Sequence, residues 1–270
     1  MNAIKSPDSN DSVELIPVLL YHSVASNASD GLPAYNVAPS EFIRHLELVV
    51  ESGRKVVSFR ELSERLRTRS FDETPLAAVT FDDGFADNLK ACEALAERGI
   101  PATVFVTSSF VGEAKMLGAS QLHELAALPG IDVGAHSVTH PYLDSIQRER
   151  AEIEIMKSKT QLEDVLGGAV DTFAYPHGAY DRNVRELVKR CGFTGAAAVK
   201  NAISHREDDP FAVSRWTIET GVSLETLSEI LAGTGAPRGW TNERLRTRAA
   251  RLARRLKAGT GATTKTGESA

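Results

Sequence analysis

The sequence predicts an α/β fold in which seven or eight parallel strands close into a distorted (β/α) barrel. Three observations carry that expectation. Short runs recur that are apolar on both faces, the pattern of strands buried between layers of helices. Segments of helix length separate these runs, so each strand is followed by a crossover. Seven or eight such repeats fall within about 220 residues, which favours a closed form over an open sheet.

Along the chain, residues 16–21 (IPVLLY) read as the first buried strand. Residues 40–52 read as an amphipathic helix with Ser40 as N-cap and Gly53 as its stop. A short strand over 55–59 and a charged helix over 61–68 follow. The strand at 76–81 leads to a helix at 86–98, closed by Gly99 and Pro101. Strands at 102–107, 131–135, 172–175 and 195–199 alternate with helices at 119–128, 143–166 and 181–191. A last strand spans 212–218 and a helix 223–232.

The 270 residues are 42% hydrophobic and 25% charged, which allows a sizeable core and excludes a disordered or collagen-like chain. The net charge of −5 argues against a dedicated nucleic-acid binder. Cys92 and Cys191 lack Cys-x-x-Cys partners, so neither a disulfide framework nor a thiolate zinc site is expected. Residues 1–14 read as a disordered leader without an apolar signal core, and no run is long enough to span a membrane. The expected location is therefore cytoplasmic. Residues 15–235 form the barrel domain, and 236–270 a basic amphipathic helix with a Gly/Thr/Ser-rich end. That helix carries Arg238, Arg244, Arg246, Arg248, Arg251, Arg254, Arg255 and Lys257 against one acid, Glu243, with Leu245, Leu252 and Leu256 interleaved. It reads either as a solvated helix packed on the barrel by its leucines or as a peripheral contact with the anionic inner membrane surface.

Two motifs carry chemistry. In Thr80-Phe81-Asp82-Asp83-Gly84, two adjacent carboxylates sit at a strand end. Like charges this close raise one pKa unless a cation compensates; with a metal present, one carboxylate binds it and the other serves as a base. In His136-Ser137-Val138-Thr139-His140, also at a strand end, the His-x3-His spacing brings two imidazoles within reach of one ion. The C-terminal ends of parallel barrel strands converge on one face. Two histidines and one carboxylate there leave open positions for water and substrate, the pattern of a catalytic metal site.

These motifs, TFDDG and HSVTH, resemble the polysaccharide deacetylase family, the NodB-homology domain of carbohydrate esterase family 4. The resemblance covers roughly residues 15–235. It implies a distorted NodB-type barrel and a metal-dependent hydrolase that removes N-acetyl groups from a saccharide. It also implies Asp82 as general base and Asp83, His136 and His140 as metal ligands. The expected ion is zinc, with cobalt, nickel or iron fitting the same donors. Phe173-Ala174-Tyr175-Pro176-His177-Gly178 resembles the family's Arg-x-Pro-x-Gly segment, which points to Tyr175, Pro176 and His177 as substrate-binding residues and to the His177 backbone N–H as an oxyanion donor. Ala174 stands where the family has Arg, so the usual salt bridge to the base is expected to be absent or replaced. The family's late Leu-x-His acid motif is also missing. The candidate acid is His22 in Leu20-Tyr21-His22-Ser23, because this start resembles a subgroup that includes the poly-N-acetylglucosamine deacetylases. Asp209–Trp216 (DPFAVSRW) loosely resembles the fourth motif, with Trp216 lining the cleft. Two other readings are open: hydrolysis of a non-sugar amide or an O-acetyl ester, and a decayed barrel that binds carbohydrate without cutting it.

Overall fold

The structure is a computed structural model that describes residues 14–27, 33–240, 249 and 251–255. Seven parallel strands make up the main sheet: β1 (Val18–Tyr21), β2 (Leu76–Phe81), β3 (Ala102–Val106), β4 (Ile131–Ala135), β5 (Thr172–Ala174), β6 (Gly195–Ala197) and β7 (Trp216–Thr217). Their order is β6-β5-β4-β3-β2-β1-β7, so neighbours in space are almost all neighbours in sequence. An isolated parallel bridge, Ala197 to Val213, joins β6 to the chain just ahead of β7 and brings the two ends of the curled sheet together. Lys55–Val56 adds an eighth, short strand alongside Leu76–Ala77, below the point where β3 begins to pair. The seven-or-eight-strand barrel predicted from the sequence is therefore what forms.

Helices cover the outside. They are α1 (Pro39–Glu51), α2 (Phe59–Thr68), α3 (Asn88–Glu97), α4 (Ala119–Ala127), α5 (Arg148–Leu166), α6 (Arg182–Arg190) and α7 (Leu224–Ala232). Ser58, Asp181 and Ser223 cap α2, α6 and α7 by accepting a backbone N–H three residues on. Ser40 does not cap α1. The helix starts one residue earlier, with Pro39 in its first turn and Ala38 before it, because proline's fixed φ suits that position and its missing N–H costs nothing there. The predicted strand at 212–218 shortens to β7, since the Ser214 N–H is donated to the Asp208 carboxylate instead of to a neighbouring strand.

The strands alternate between two cores. Leu19, Val79, Val104 and Phe173 pack outward into one cluster with helix residues such as Leu46, Leu95, Leu122 and Ile155. Val18, Ala78, Phe105, Ala174, Ala197 and Val213 belong to a second cluster that fills the barrel. Small residues make room for large ones inside: a Cβ at Gly134 would lie 2.4 Å from the Phe105 ring. Below the sheet, the buried Arg54 donates to the carbonyls of Leu231, Leu15 and Leu76, tying α7 to the first strands. Cys92 and Cys191 are both free. Among the described residues, no helix is long and apolar enough to cross a membrane. Of the leader only Glu14 is described, and of the basic tail residues 241–248, 250 and 256–270 lie outside the described residues.

Candidate metal centre and catalytic cleft

Strand alternation places Asp82 on the same side as Ala78 and Thr80, facing the barrel interior. An extended chain would turn Asp83 the other way. Instead Asp83 (φ 74°) and Gly84 (φ 86°) both leave the strand in the left-handed region, which sends Asp83 back over the barrel mouth beside Asp82. That conformation costs a non-glycine residue about 1–2 kcal/mol, strain held by the surrounding fold. A side chain at Gly84 would also press on Val106, with Cγ1 3.1 Å from its Cβ.

Asp83, His136 and His140 form one cluster. His140 Nε2 lies 3.2 Å from His136 Nε2 and 3.2 Å from Asp83 Oδ1, and His136 Nε2 is 3.5 Å from the same oxygen. A tetrahedral ion with bonds of about 2.0–2.1 Å sets its donors about 3.3–3.4 Å apart, so the three atoms already have the spacing a single zinc-sized ion requires. Asp83 Oδ1 is buried without a hydrogen-bond partner, an orphaned acceptor that a cation would satisfy. His136 Nδ1 donates to the Ala174 carbonyl at 2.8 Å, which leaves Nε2 free to ligate. Burial lowers the His136 pKa to about 4 despite both aspartates, so the ring is neutral at pH 7, as a ligand must be. For Asp83, burial pushes the carboxyl up but His140, His136 and His22 outweigh it, and the net is well below the usual carboxylate range.

The loop between the two histidines is strained at Ser137 (φ 65°) and His140 (φ 58°). Glu154 on α5 holds it. Its buried carboxylate accepts from the backbone N–H of Val138 (3.0 Å) and Thr139 (2.8 Å) and from the Thr139 hydroxyl (2.7 Å), while Arg150 pairs with it at 2.9 Å. Glu154→Gln is expected to weaken metal binding about 10-fold, read by competition with a chromogenic chelator, with the fold intact by circular dichroism.

Asp82 answers the question raised by Ala174. The arginine that orients the predicted base comes from a distant segment. Arg215, fully buried, meets both Asp82 oxygens at 2.7 Å in a bidentate pair and also donates to the Ala198 carbonyl and the Thr80 hydroxyl. It follows Val213 by two residues and so shares its inward face. Burial pushes the Asp82 carboxyl up, but Arg215, His136 and His22 bring it below the usual range. Asp82 Oδ2 stays 3.8 Å from His136 Nε2, close to the cluster without joining it.

A cavity of about 280 Å³ opens over these groups, lined also by His22, Tyr35, His177, Val199 and Thr217. His22 follows β1 directly; its ring packs on Tyr35 (centroids 5.0 Å) and its Nδ1 is buried with no partner. Burial lowers the His22 pKa, opposed by Asp82 and Asp83. His177 reaches the cleft from a 3-10 turn at Pro176–Gly178, with φ 56°. Three expectations need correction. The Tyr175 side chain is fully buried, donates to the Phe211 carbonyl at 2.9 Å and stacks on Tyr180 away from the cleft. Pro176 is buried and does not line the cavity. Trp216 packs against the outer core, and its neighbour Thr217 faces the cavity instead, because alternation along β7 allows only one of the two to point in. The sequence reading missed Arg215 and Glu154. Arg215 did carry a signal, its two-residue spacing from Val213 within the DPFAVSRW segment.

The polysaccharide deacetylase family model matches residues 71–196, the stretch that holds Asp82, Asp83, His136, His140 and His177. These residues form a polysaccharide deacetylase domain. The family acts on N-acetylated saccharides, and its enzymes use divalent metals. Among relatives, YxkH of Bacillus subtilis (strain 168) is 24% identical over 209 residues, covering 77% of this chain and 73% of YxkH. A chitooligosaccharide deacetylase of Azorhizobium caulinodans is 30% identical over 117 residues, 42% of this chain and 53% of that protein. Among solved structures, the Streptococcus pyogenes deacetylase PplD superposes with a TM-score of 0.72 at 23% identity over 80% of this chain and 98% of PplD. IcaB from Ammonifex degensii gives 0.69 at 23% identity over 83% of this chain and 98% of IcaB. At these identities the structural likeness is one of fold.

Proposed function

We propose that this chain is a metal-dependent deacetylase that hydrolyses N-acetyl groups on a saccharide. The observation that carries the reading is the juxtaposition of two groups at one barrel mouth. One is the Asp83, His136 and His140 cluster at ligand spacing; the other is Asp82, held by Arg215 but outside the cluster. The cavity of about 280 Å³ suits an acetamido group with part of one sugar ring, leaving the rest of a saccharide outside. The chitooligosaccharide deacetylase of Azorhizobium supports a sugar substrate.

When bound, the metal supplies Lewis-acid polarisation and a water of lowered pKa. Zinc is the expected ion; cobalt, nickel or iron would suit the same donors. The chain's own residues do the rest. Asp82 takes the proton from the attacking water, its two oxygens fixed in direction by Arg215. His22, across the cavity, gives a proton to the leaving amine, which an amide needs because an amide anion leaves poorly. The His177 N–H contributes to stabilising the oxyanion.

The test is acetate release from N-acetylglucosamine oligomers by the purified protein and by His22→Ala. A fall of about 10²–10⁴-fold in the variant is expected for an N-acetyl substrate. Hydrolysis of O-acetyl esters that His22→Ala leaves intact, with no release from N-acetyl sugars, would favour the ester reading instead. Saccharide binding without acetate release would favour the decayed barrel.

A further inference from the structure

The basic C-terminal helix meets the barrel at the edge of the cleft. The contact is ionic: Leu252, one of the leucines expected to pack, is 59% exposed, whereas Arg254 and Arg255 turn toward the barrel. Arg254 Nη2 meets both oxygens of Asp144 at 3.0 and 2.8 Å, and its Nε donates to Ser145 Oγ at 3.1 Å. Arg255 donates to the Asp144 carbonyl and to Asp181. The Asp144 side chain is fully buried, and its cationic partner comes from this helix alone among the described residues. A buried carboxylate needs such a partner, so the docking belongs to the folded state.

The contact continues inward. The Arg254 guanidinium lies over the Tyr142 ring, 4.7 Å from its centroid. Tyr142 stacks nearly parallel on His177, with centroids 4.0 Å apart and planes at 15°. His177 in turn meets His140 edge-on at 4.3 Å. His177 sits in a left-handed turn at the cavity wall, a conformation the chain holds only when its surroundings enforce it. Tyr142 lies between Arg254 and His177, so the tail clamps that turn from outside.

We propose that the C-terminal helix is part of the active site: Arg254 is a positioning residue that seats Tyr142 on His177 and so fixes the His177 turn beside the metal cluster. Its catalytic consequence rests on the deacetylase reading; its structural consequence does not. The charges that the sequence offers to an anionic lipid surface are, at Arg254 and Arg255, bound within the chain; Arg244, Arg246, Arg248 and Lys257 lie outside the described residues.

The test uses the full-length, zinc-loaded protein with isotope-labelled histidines, the His177 ring signal assigned by its loss in His177→Gln. In Arg254→Gln the His177 Cε1–H resonance is expected to move as the Tyr142 ring current is lost, with the same change in Tyr142→Leu and a smaller one in Arg254→Lys. Zinc affinity stays within twofold. If acetate is released, kcat falls about 10-fold in Arg254→Gln with KM within twofold, since small misplacements near a reacting centre act on the chemical step. The double variant Asp144→Asn/Arg254→Gln, which leaves no orphaned buried carboxylate, reports the same changes if Arg254→Gln alone does not fold. A His177 resonance that moves in Tyr142→Leu but not in Arg254→Gln overturns the positioning role. A moved resonance with unchanged kcat overturns its catalytic part. If the wild-type protein releases no acetate, the deacetylase reading fails separately, and the resonance still decides whether Arg254 seats the turn.

Discussion

Asp82→Asn is expected to lower kcat for acetate release by about 10²–10⁴-fold, the usual contribution of a positioned general base. Metal affinity should change little, because Asp82 stands outside the Asp83, His136 and His140 donor set, 3.8 Å from the nearest ring nitrogen. That split separates a base from a ligand: loss of a ligand lowers both quantities together. The substitution also leaves Arg215, which is fully buried, without its anion. Breaking a buried pair in this way costs about 3–5 kcal/mol, so the kinetics must be measured well below the variant's melting temperature.

Arg215→Met is expected to show the other side of the same pair. Methionine fills part of the space inside the barrel but leaves Asp82 buried and unpaired, and stability should again fall by about 3–5 kcal/mol in denaturant titration. Activity should fall too, because nothing else in the described residues grips both Asp82 oxygens. The pH dependence has a definite sign. In the wild-type protein burial raises the Asp82 pKa, but Arg215, His136 and His22 bring it below the usual carboxylate range. A carboxylate so depressed contributes stability above its unfolded pKa, and that contribution is lost as pH falls toward its folded value. With Arg215 gone, burial dominates and the carboxyl moves up. Acid unfolding of the metal-free variant should therefore begin at higher pH than in wild type. The double variant Asp82→Asn/Arg215→Met should recover much of the stability lost by either single change while staying inactive. Additive losses would show that the two residues are not coupled.

The contrast between Arg215 and the candidate metal donors shows what a sequence exposes. Asp83, His136 and His140 were legible because adjacent carboxylates and His-x3-His are short patterns that end apolar strands. The barrel was legible for a similar reason: strand and helix periods are local, and β2 and β4 fall where their apolar runs predict. Arg215 lies 133 residues from Asp82, and only the pairing of β7 with β1, itself beside β2, brings its segment to the base. Glu154 was hidden in the same way, as one acid among many on a charged helix until its carboxylate turns under the 138–139 loop. Tyr175 and Trp216 were misplaced because the family resemblance supplies residue types, whereas alternation along each strand end decides which side chain enters the cleft. The tail shows a third limit. Its charge pattern reads as a surface for solvent or lipid, but Asp144 and Asp181 on the barrel rim take two of its arginines.

We infer that Asp83, His136 and His140 together hold one ion on which deacetylation depends. It is tested most directly by titrating zinc into chelator-treated protein while following both bound metal and acetate release from N-acetylglucosamine oligomers. Release that rises from background in step with the first equivalent of bound zinc, and that is lost in His140→Ala along with that equivalent, is the predicted result. Full acetate release from the metal-free protein, or stoichiometric zinc binding that survives His140→Ala, would contradict it.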